Sequence, residues 1–454
     1  MDKWKRVCLV AVCAMALGRS APAQHVPGGE LNKDDPKAVK DYVADPLPKG
    51  VIHPQNLEYR GAFRLPADGK TYKASWHYSG DSLAYYPDGD LKGPKDGYPG
   101  SLFGSGHAHN CWVSEIAIPV PVISKTKDLK QLNTAKTLQP FQDITVVKDR
   151  DGKPANTRYQ TRGLEYLPPQ GEQKTGVLYF CKATHFQYGG RESTHGWSEL
   201  DLSKPEAAGL WCLGNFHSCS VNDYLFEIPK DWADKYTPGL RLASGRNRHG
   251  LSGSSGPTLY AYGPWNDGNP PPTDARLKAV RLIFYGRGVG KINNMLAADL
   301  WRGGAWLTAG DRSAVIVVGC KSFGKCWYGL VTHKREPVVT WGKAGYKTDK
   351  GRTVDRSEIK GGRGYHADDY RPYILFFDPA DLAAVARGKK GPHTPQPYAG
   401  LDVKRLMFAQ GERRRTALHG TAFDRERGLL YAMEGRGDRD MPLVHVWRVN
   451  APKE

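Results

Sequence analysis

Three features of the sequence predict an all-β fold, and specifically a β-propeller of about seven blades. Short apolar or aromatic runs recur from about Leu57 to the end of the chain, and Gly, Pro, Asp and Asn separate them. The runs group into similar units, such as GDSLAYYPDGD, SLFGSGH and VSEIAIP, or TRGLEYLPPQ, GVLYFCKATHF and GWSELDL. Helical patterns are few, the clearest being PADLAAVARG at residues 379 to 388. A small antiparallel sheet that repeats in this way needs neighbours for both faces, which is typical of a propeller.

The number of blades follows from the length of the repeating part. About 400 residues divided by about 50 to 60 residues per elaborated blade gives about six to eight blades. We therefore assign residues 57–454 to a single propeller domain, with a β-sandwich carrying insertions as the structural alternative. Residues 24–56 are polar, charged and rich in proline, and we predict an extended N-terminal segment there.

The first 23 residues have the composition of a secretory signal peptide. A basic start precedes an apolar run from Val7 to Leu17, and Ala-Pro-Ala at residues 21 to 23 is a small-residue cleavage pattern. The apolar run is shorter than the roughly 20 residues that a membrane span needs. We therefore expect a secreted or periplasmic protein without membrane insertion.

Six cysteines follow the signal segment: Cys111, Cys181, Cys212, Cys219, Cys320 and Cys326. An even number in an oxidising compartment predicts disulfides, and the pairs Cys212/Cys219 and Cys320/Cys326 are close enough in sequence to close small loops. The overall connectivity stays open, and buried free thiols are the alternative.

The chain is strongly basic, with 65 Lys and Arg against 47 Asp and Glu and a net charge of +18. The signal segment takes away four basic residues and one acidic residue, which leaves +15. A field of this sign attracts polyanions. For an exported protein we expect an anionic polysaccharide, uronate-bearing or sulfated, as the partner, and we expect no nucleic-acid partner. The oligomeric state stays open.

Histidine, arginine and tyrosine cluster after the predicted strands, where propeller loops converge around the central channel. As acid–base candidates we select His107, His109, His185, Tyr188 and His249. As substrate-binding candidates we select Arg191, Arg246, Arg248, His195, Tyr365, His366 and His419.

These residue types suit β-elimination on a uronate. Histidine titrates near neutral pH and can remove the proton α to the carboxylate, and tyrosine can protonate the leaving oxygen. Arginine clamps the carboxylate with two parallel hydrogen bonds while negative charge develops. We therefore expect a polysaccharide lyase. The alternatives are a non-catalytic propeller that binds glycans or an envelope partner, and a glycoside hydrolase. A hydrolase would need two carboxylates, for which Glu165, Glu192, Asp223 and Glu434 are available.

Several motifs give the chain a resemblance to a set of secreted bacterial proteins. That set shares an approximate YRGAFRLP, SLAY, SLF..GH and VSEIAIP opening and a later YHA..YRPYI.FFDPADL segment. Here the elements stand at residues 59 to 66, 82 to 85, 101 to 107, 113 to 119 and 365 to 382. The resemblance covers most of the chain beyond the signal segment and transfers no catalytic residue.

In plan and composition the chain is also similar to the propeller-type polysaccharide lyases that cleave ulvan. Those enzymes use His or Tyr as base and acid beside Arg residues that neutralise the uronate. No motif matches them position by position, so this similarity concerns architecture and composition.

A metal site is the alternative use of the stretch GSGHAHNCW. If the segment is an extended strand, His107, His109 and Cys111 project to one face and can approach one zinc ion. The sequences DRDG at 149 to 152 and NDGN at 266 to 269 are compatible with calcium, although short Asp-Gly turns need no ion. We expect no cofactor. Nucleotide-binding loops, HExxH helices and GxSxG elbows are all missing from the sequence.

Overall fold

The fold is built from five β-sheets in the described part of the chain. A computed structural model describes residues 41–148, 160–183, 190–247, 256–264, 269–286, 289–342, 345–409 and 417–451. Two N-terminal strands come first, β1 (Tyr42–Val43) and β2 (Leu57–Arg64). Three of the five sheets contain four strands, one contains five and one contains eight, and we number these sheets as blades I to V.

Blade I consists of β3 (Leu83–Tyr86), β4 (Ser101–Ser105), β5 (Val113–Ala117) and β6 (Thr137–Gln142). Blade II consists of β7 (Gln160–Leu167), β8 (Val177–Ala183), β9 (His195–Ser198) and β10 (Ala207–Leu213). Blade III consists of β11 (Tyr224–Glu227), β12 (Leu242–Arg246), β13 (Thr258–Tyr262) and β15 (Ala279–Ile283). The short β14 (Arg276–Leu277), which precedes β15 in the chain, pairs with β10 of blade II.

Blade IV is the largest and carries extra strands. Its strands are β16 (Leu300–Ala309), β17 (Arg312–Thr332), β18 (Pro337–Thr340), β19 (Tyr346–Thr348), β20 (Thr353–Val354), β21 (Ile359–Phe377) and β22 (Pro397–Asp402), with β1 on the outer edge. Blade V consists of β23 (Leu418–Asp424), β24 (Leu429–Asp438), β25 (Met441–Val449) and the N-terminal β2.

The blades close into a ring, as a propeller requires. The first strands of the five blades, β3, β7, β11, β16 and β23, each contact the next, and β23 contacts β3 again. The N-terminal β2 pairs with the C-terminal β25 from Leu57 opposite Val449 to Arg64 opposite Leu443. The two ends of the described chain therefore complete one blade, and the predicted all-β propeller is confirmed.

The prediction of about seven blades is not confirmed, because the described residues form five sheets. The estimate assumed about 50 to 60 residues per blade. Blade IV alone runs from Leu300 to Asp402, and runs such as AVIVVGCKSFGKCWYGL and PYILFFDP, which resemble separate units in sequence, pair within it as β17 and β21.

Successive side chains of β17 pack against the two blades on either side of blade IV. Val315 and Val317 pack in the core shared with blade III, whereas Ile316 and Val318 pack in the core shared with blade V. All four are fully buried. Because each such side chain contributes about 1.5 to 3 kcal/mol by leaving water, both faces of this strand must be apolar.

Glycines allow the inner strands to approach one another closely. A Cβ at Gly420 of β23 would lie 2.6 Å from the carbonyl carbon of Ser82, and one at Gly163 of β7 would lie 2.7 Å from the backbone nitrogen of Leu225. A Cβ at Gly303 of β16 would collide with the carbonyl oxygen of His419. These glycines set the width of the channel, since any side chain there would push adjacent blades apart.

Two strands of blade IV extend well past the ring. Leu300, the first residue of β16, pairs with Cys320, but β17 continues to Thr332 and remains paired with β21 as far as Ile359. At about 3.3 Å per residue the extension is roughly 40 Å long. We call residues 321–371 the arm. It projects beyond the end of the ring at which β16 begins.

The helices are short. The predicted helix at residues 379 to 388 is confirmed as α2 (Pro379–Ala386), and it begins at Asp378, whose side chain accepts a hydrogen bond from the Ala380 backbone nitrogen at 2.8 Å. The sequence patterns do not predict the seven-residue α1 (Lys230–Tyr236). Among the described residues, no helix has the length and apolar character of a membrane span.

The predicted disulfides are wrong, because all six cysteines that follow the signal segment are free thiols. Cys212 lies next to the last residue of β10 with its Sγ 3.2 Å from Ser193 Oγ, whereas Cys219 belongs to the next turn. Cys320 is packed in an apolar cluster, and Cys326, which follows a β-bulge in β17, packs against the same cluster as a free thiol. The thiols serve as small apolar side chains.

His195, a predicted substrate-binding residue, lies in the interior of blade II. Its Nε2 is 3.1 Å from the Val221 carbonyl oxygen and 2.9 Å from Ser244 Oγ, and the side chain is fully buried. Burial lowers the pKa of His195 to about 3. The ring is therefore neutral at neutral pH, and it links blades II and III.

We expect His195 to make folding stability depend on pH. The unfolded chain binds a proton at the His195 ring below about pH 6.5, whereas the folded chain does so only near pH 3. The free energy of unfolding therefore decreases as the pH drops below about 6.5, by about 1.4 kcal/mol per pH unit. Denaturant unfolding at a series of pH values should show a shallower slope for His195→Gln than for the wild type. The control is His217→Gln at an exposed position, and equal slopes for all three proteins would contradict the assignment.

The inner-ring glycines provide a second test of the fold. Gly420→Ala places a methyl group against the backbone of Ser82, and we expect a loss of about 1 to 3 kcal/mol in the free energy of unfolding. Gly364→Ala is the matched control, because no atom lies within 4 Å of its new Cβ. Denaturant unfolding measures both variants, and equal stability would show that the inner strands are free to separate.

Candidate functional site

The inner strands bring five polar side chains to one end of the channel. Each side chain lies within the two residues before its strand or the first three residues of it, and the five are Asp81, Arg162, Asp223, Arg302 and His419. Because the inner strands form a closed ring, residues far apart in sequence meet there. We call these five residues the mouth cluster.

Asp81 is the centre of the mouth cluster. Its carboxylate forms a salt bridge with Arg162, and its Oδ1 lies 3.6 Å from Arg302 Nη1 and 3.6 Å from His419 Nδ1. The last two separations are ion-pair distances and exceed the length of a hydrogen bond. Arg302 has the most exposed side chain of the four, at 36 %, against 14 % for Asp81.

The charges of the cluster shift the pKa values of its members. Burial opposes ionisation of Asp81, but the positive charge of Arg162, the contact with His419 and the charge of Arg302 outweigh it and hold the pKa of Asp81 well below its usual range. For His419, burial lowers the pKa, the contact with Asp81 offsets part of this effect, and the charge of Arg302 lowers it further. At neutral pH the cluster therefore holds an ionised carboxylate and a neutral imidazole.

Asp223 extends the cluster toward blade III. Its Oδ2 accepts a hydrogen bond from the Asn247 backbone nitrogen at 3.1 Å and lies 3.7 Å from Arg246 Nε. Arg246 Nη1 donates to Asn222 Oδ1 at 2.7 Å. The charge of Asp223 also contributes to the raised pKa of Arg162, which connects the two halves of the mouth.

The stretch GSGHAHNCW forms a turn beside this mouth and is not an extended strand. β4 ends at Ser105 and β5 begins at Val113, and between them the Cys111 backbone nitrogen donates to the His107 carbonyl oxygen at 2.8 Å. Cys111 has φ of 51°, the left-handed region. The expectation that alternation aligns His107, His109 and Cys111 is therefore wrong.

The two histidines of this turn have different environments. His107 is buried, with its ring centroid 4.6 Å from that of Tyr72, and its Nδ1 accepts from the His109 backbone nitrogen at 3.2 Å. Burial first, and then the nearby His109, lower the pKa of His107. His109 is exposed, and its carbonyl oxygen accepts from Gln160 Nε2 at 3.2 Å; Gln160 Oε1 in turn accepts from Arg162 at 2.8 Å. Of the two, His109 lies at the rim of the mouth.

The remaining predicted site residues are distributed over two regions. Arg246 adjoins the mouth cluster, and Arg191 is exposed with its Nε donating to the Asn215 carbonyl oxygen at 3.1 Å. Tyr365 and His366 lie on the arm, away from the ring. The predicted residues outside the described part of the chain are His185, Tyr188, Arg248 and His249.

Sequence reasoning missed Asp81, Arg162 and Arg302 as site residues. The signal was present in the repeating units, because a polar residue stands at the same place before each inner apolar run, in DSLAY, RGLEY, DYLFE, RGGAW and HGTAF. Aligning the units on these runs would have selected the mouth cluster. The prediction concentrated on loops that follow strands, whereas the cluster lies near the starts of the inner strands.

A second charged cluster lies at the opposite end of the inner strands. Glu227, at the end of β11, forms salt bridges with Arg241 and, at 3.1 Å, with Arg425. Burial and the charge of Glu227 raise the pKa of Glu165 on β7 well above its usual range. This end therefore holds one carboxyl group that favours protonation and a second, Glu227, that is paired with two arginines.

Neither proposed metal site gains support from the geometry. Within the described ranges, no group of three or more His, Cys, Asp or Glu side chains is arranged to hold a metal ion. The possible calcium motifs at 149 to 152 and 266 to 269 lie wholly or mostly outside the described residues.

Removing the Asp81 carboxylate should destabilise the ring. Asp81→Asn leaves Arg162 without its buried counter-charge, and we expect the free energy of unfolding to fall by about 2 to 4 kcal/mol. The matched control is Asp234→Asn in the exposed Lys230–Asp234 pair, for which we expect a change below about 0.5 kcal/mol. Denaturant unfolding at neutral pH measures both, and similar losses in the two variants would contradict the central role of Asp81.

Comparisons with known proteins add no family. The sequence matches no protein-family model and no curated protein. Among solved structures, the protein is similar to a chain of the Polycomb Repressive Complex 2 of Chaetomium thermophilum, with 9 % identity and a TM-score of 0.29. The alignment covers 86 % of this chain and 98 % of that chain. A chain of the Mitotic Checkpoint Complex is similar with 8 % identity, coverage of 87 % and 96 %, and a TM-score of 0.28.

Proposed function

We propose that this protein is an exported polysaccharide lyase that cleaves an anionic polysaccharide at the mouth cluster by β-elimination. The observation that carries the proposal is the juxtaposition of a neutral histidine with two arginines around one ionised carboxylate. A neutral imidazole can accept a proton, and guanidinium groups bind and neutralise a uronate carboxylate.

His419 is the proposed base. With its Nδ1 proton directed toward Asp81, Nε2, which lies beside Gly435, keeps the lone pair that would accept the proton α to the substrate carboxylate. The electron pair of that C–H bond forms a carbon–carbon double bond as the bond to the β oxygen breaks. The leaving oxygen takes a proton, for which the exposed His109 at the rim is the proposed donor.

The arginines supply the charge that the reaction needs. Arg302 has the most exposed guanidinium of the cluster and is the proposed ligand of the uronate carboxylate. Arg162 is more buried, and its salt bridge with Asp81 fixes it in place. A guanidinium held in position before the substrate arrives stabilises the developing enolate-like anion without reorganisation.

A glycoside hydrolase is the second candidate, at the other end of the channel. A glycosidase needs two carboxyl groups, one of which stays protonated. Glu165, whose pKa is raised by burial and by the charge of Glu227, is the candidate acid, and Glu227 is the candidate partner. Glu227 is already engaged by two arginines, however. The mouth cluster itself does not suit hydrolysis, because Asp81 is held in the ionised form and cannot act as an acid.

The test is incubation with uronate polysaccharides while ultraviolet absorbance and reducing ends are measured together. A lyase produces both unsaturated ends and reducing ends. Reducing ends without the absorbance would support the hydrolase, and binding without either product would support the non-catalytic glycan-binding alternative. Both of the latter results would overturn the lyase proposal.

His419→Gln should lower turnover about 100-fold or more, because it removes the base. The matched control, His393→Gln, alters a histidine that packs against Gly290 and Gly391, and it should retain wild-type turnover. Because the pKa of His419 is lowered, the acid limb of the wild-type pH profile should lie below about pH 6.5. Wild-type turnover in His419→Gln would exclude this residue as the base.

A further inference from the structure

We propose that the arm carries a second binding surface, on which the sugar rings of the same anionic polysaccharide stack at a distance from the mouth. The surface consists of Tyr328, Trp341, Arg363 and Tyr365, and we call these residues the aromatic platform. This inference rests on the substrate class of the proposed function, but it does not depend on the cleavage reaction.

The platform is assembled by strand pairing. Tyr328 of β17 lies directly opposite Tyr365 of β21, and their ring centroids are 4.8 Å apart with an interplanar angle of 64°. The Trp341 ring lies 6.1 Å from that of Tyr328. The guanidinium carbon of Arg363 lies 5.8 Å from the Tyr328 ring and 5.7 Å from the Trp341 ring.

The platform does not serve the core of the propeller. Tyr328 is 40 % exposed and Tyr365 is 37 % exposed, whereas the tyrosines within the blades, such as Tyr260 and Tyr431, are fully buried. The small apolar cluster of the arm consists of Val338, Val354 and Ile359 with partly buried neighbours, and it packs without Tyr365. Exposed aromatic rings held in fixed positions on a projecting hairpin are therefore available to a ligand.

The charge of the arm identifies the class of ligand. Residues 321–371 contain twelve Lys and Arg against six Asp and Glu, a net charge of +6. Some of this charge is already neutralised, since Lys325 pairs with Asp349, and Arg352 pairs with Glu336 and Glu358. A surface of aromatic rings with moderate positive charge suits a polymer of sugar rings with carboxylate or sulfate groups better than a nucleic acid, which carries a phosphate at every unit.

The position of the platform favours long chains as substrates. Tyr328 lies eight residues beyond Cys320, which pairs with the first residue of β16 at the ring. At about 3.3 Å per residue this is roughly 26 Å along the strand. A polysaccharide that reaches both the mouth and the platform must therefore span several sugar units, and a short oligosaccharide at the mouth cannot contact the platform.

The experiment compares binding and turnover in the full-length chain. Affinity electrophoresis in gels that contain polygalacturonate or chondroitin sulfate gives the dissociation constant of the wild type and of Tyr328→Ala/Tyr365→Ala. We expect about tenfold weaker binding by the double variant, because two stacking surfaces are lost. Tyr328→Phe/Tyr365→Phe retains the rings and should bind like the wild type. Circular dichroism verifies that each variant is folded.

The matched control is a tyrosine–arginine pair on another part of the surface. Arg387 lies over the Tyr236 ring at 4.5 Å, close to α1, and Tyr236→Ala removes an equivalent ring. This variant should bind polysaccharide like the wild type. An equal loss of affinity in Tyr236→Ala and in the double variant would overturn the platform.

The outcomes separate this inference from the lyase proposal. If the double variant retains wild-type affinity, the platform is overturned even if the wild type produces unsaturated ends. If affinity falls but no protein produces unsaturated ends, the platform stands and the lyase proposal fails. If the wild type binds single-stranded nucleic acid and neither polysaccharide, the platform as a sugar-binding surface is overturned.

Discussion

The close approach of the five inner strands is the constraint on which the rest of the structure depends. Gly163, Gly303 and Gly420 leave no room for a Cβ, so neighbouring blades meet backbone to backbone. This contact narrows the channel and brings the five side chains of the mouth cluster, one from each blade, to the same end of the inner strands. Asp81 then lies within salt-bridge distance of two arginines that are remote from it in sequence. The chemistry of the mouth is therefore a consequence of the packing of the backbone.

The balance of charge within that ring determines what it can bind. Asp81 and Asp223 face Arg162, Arg246 and Arg302, so cations outnumber anions among these residues. One carboxylate cannot satisfy two guanidinium groups fully, and the more exposed Arg302 keeps capacity for an external anion. The same excess keeps Asp81 ionised, and burial together with the charge of Arg302 keeps His419 neutral, so one cluster provides both the anion site and the proposed base.

The sequence predicted the features that depend on local pattern and missed those that depend on closure of the blades into a ring. The helix at residues 379 to 388 is such a local feature, and α2 agrees with the prediction. The predicted number of blades is not confirmed, because a long pair of strands such as β17 and β21 has the same alternation of side chains as two shorter pairs of strands. His107 and His109 were misplaced relative to each other because a turn with Cys111 at positive φ has no distinctive sequence signal. Asp81 was missed because its importance comes from partners on blades II, IV and V.

The arm and the mouth cluster are mechanically connected through blade IV. Arg302 follows Trp301, whose backbone nitrogen donates to Asn247 Oδ1 at 2.7 Å and which pairs with Gly319 on β17. The same β17 continues through a β-bulge between Phe323 and Cys326 into the arm and carries Tyr328. A ligand bound to the arm therefore contacts an extension of β17, and β17 is hydrogen-bonded to β16, the strand that carries Arg302. Because β-sheets are stiff along their strands and both faces of β17 are packed in the ring, the position of the platform relative to the mouth is set by blade IV itself.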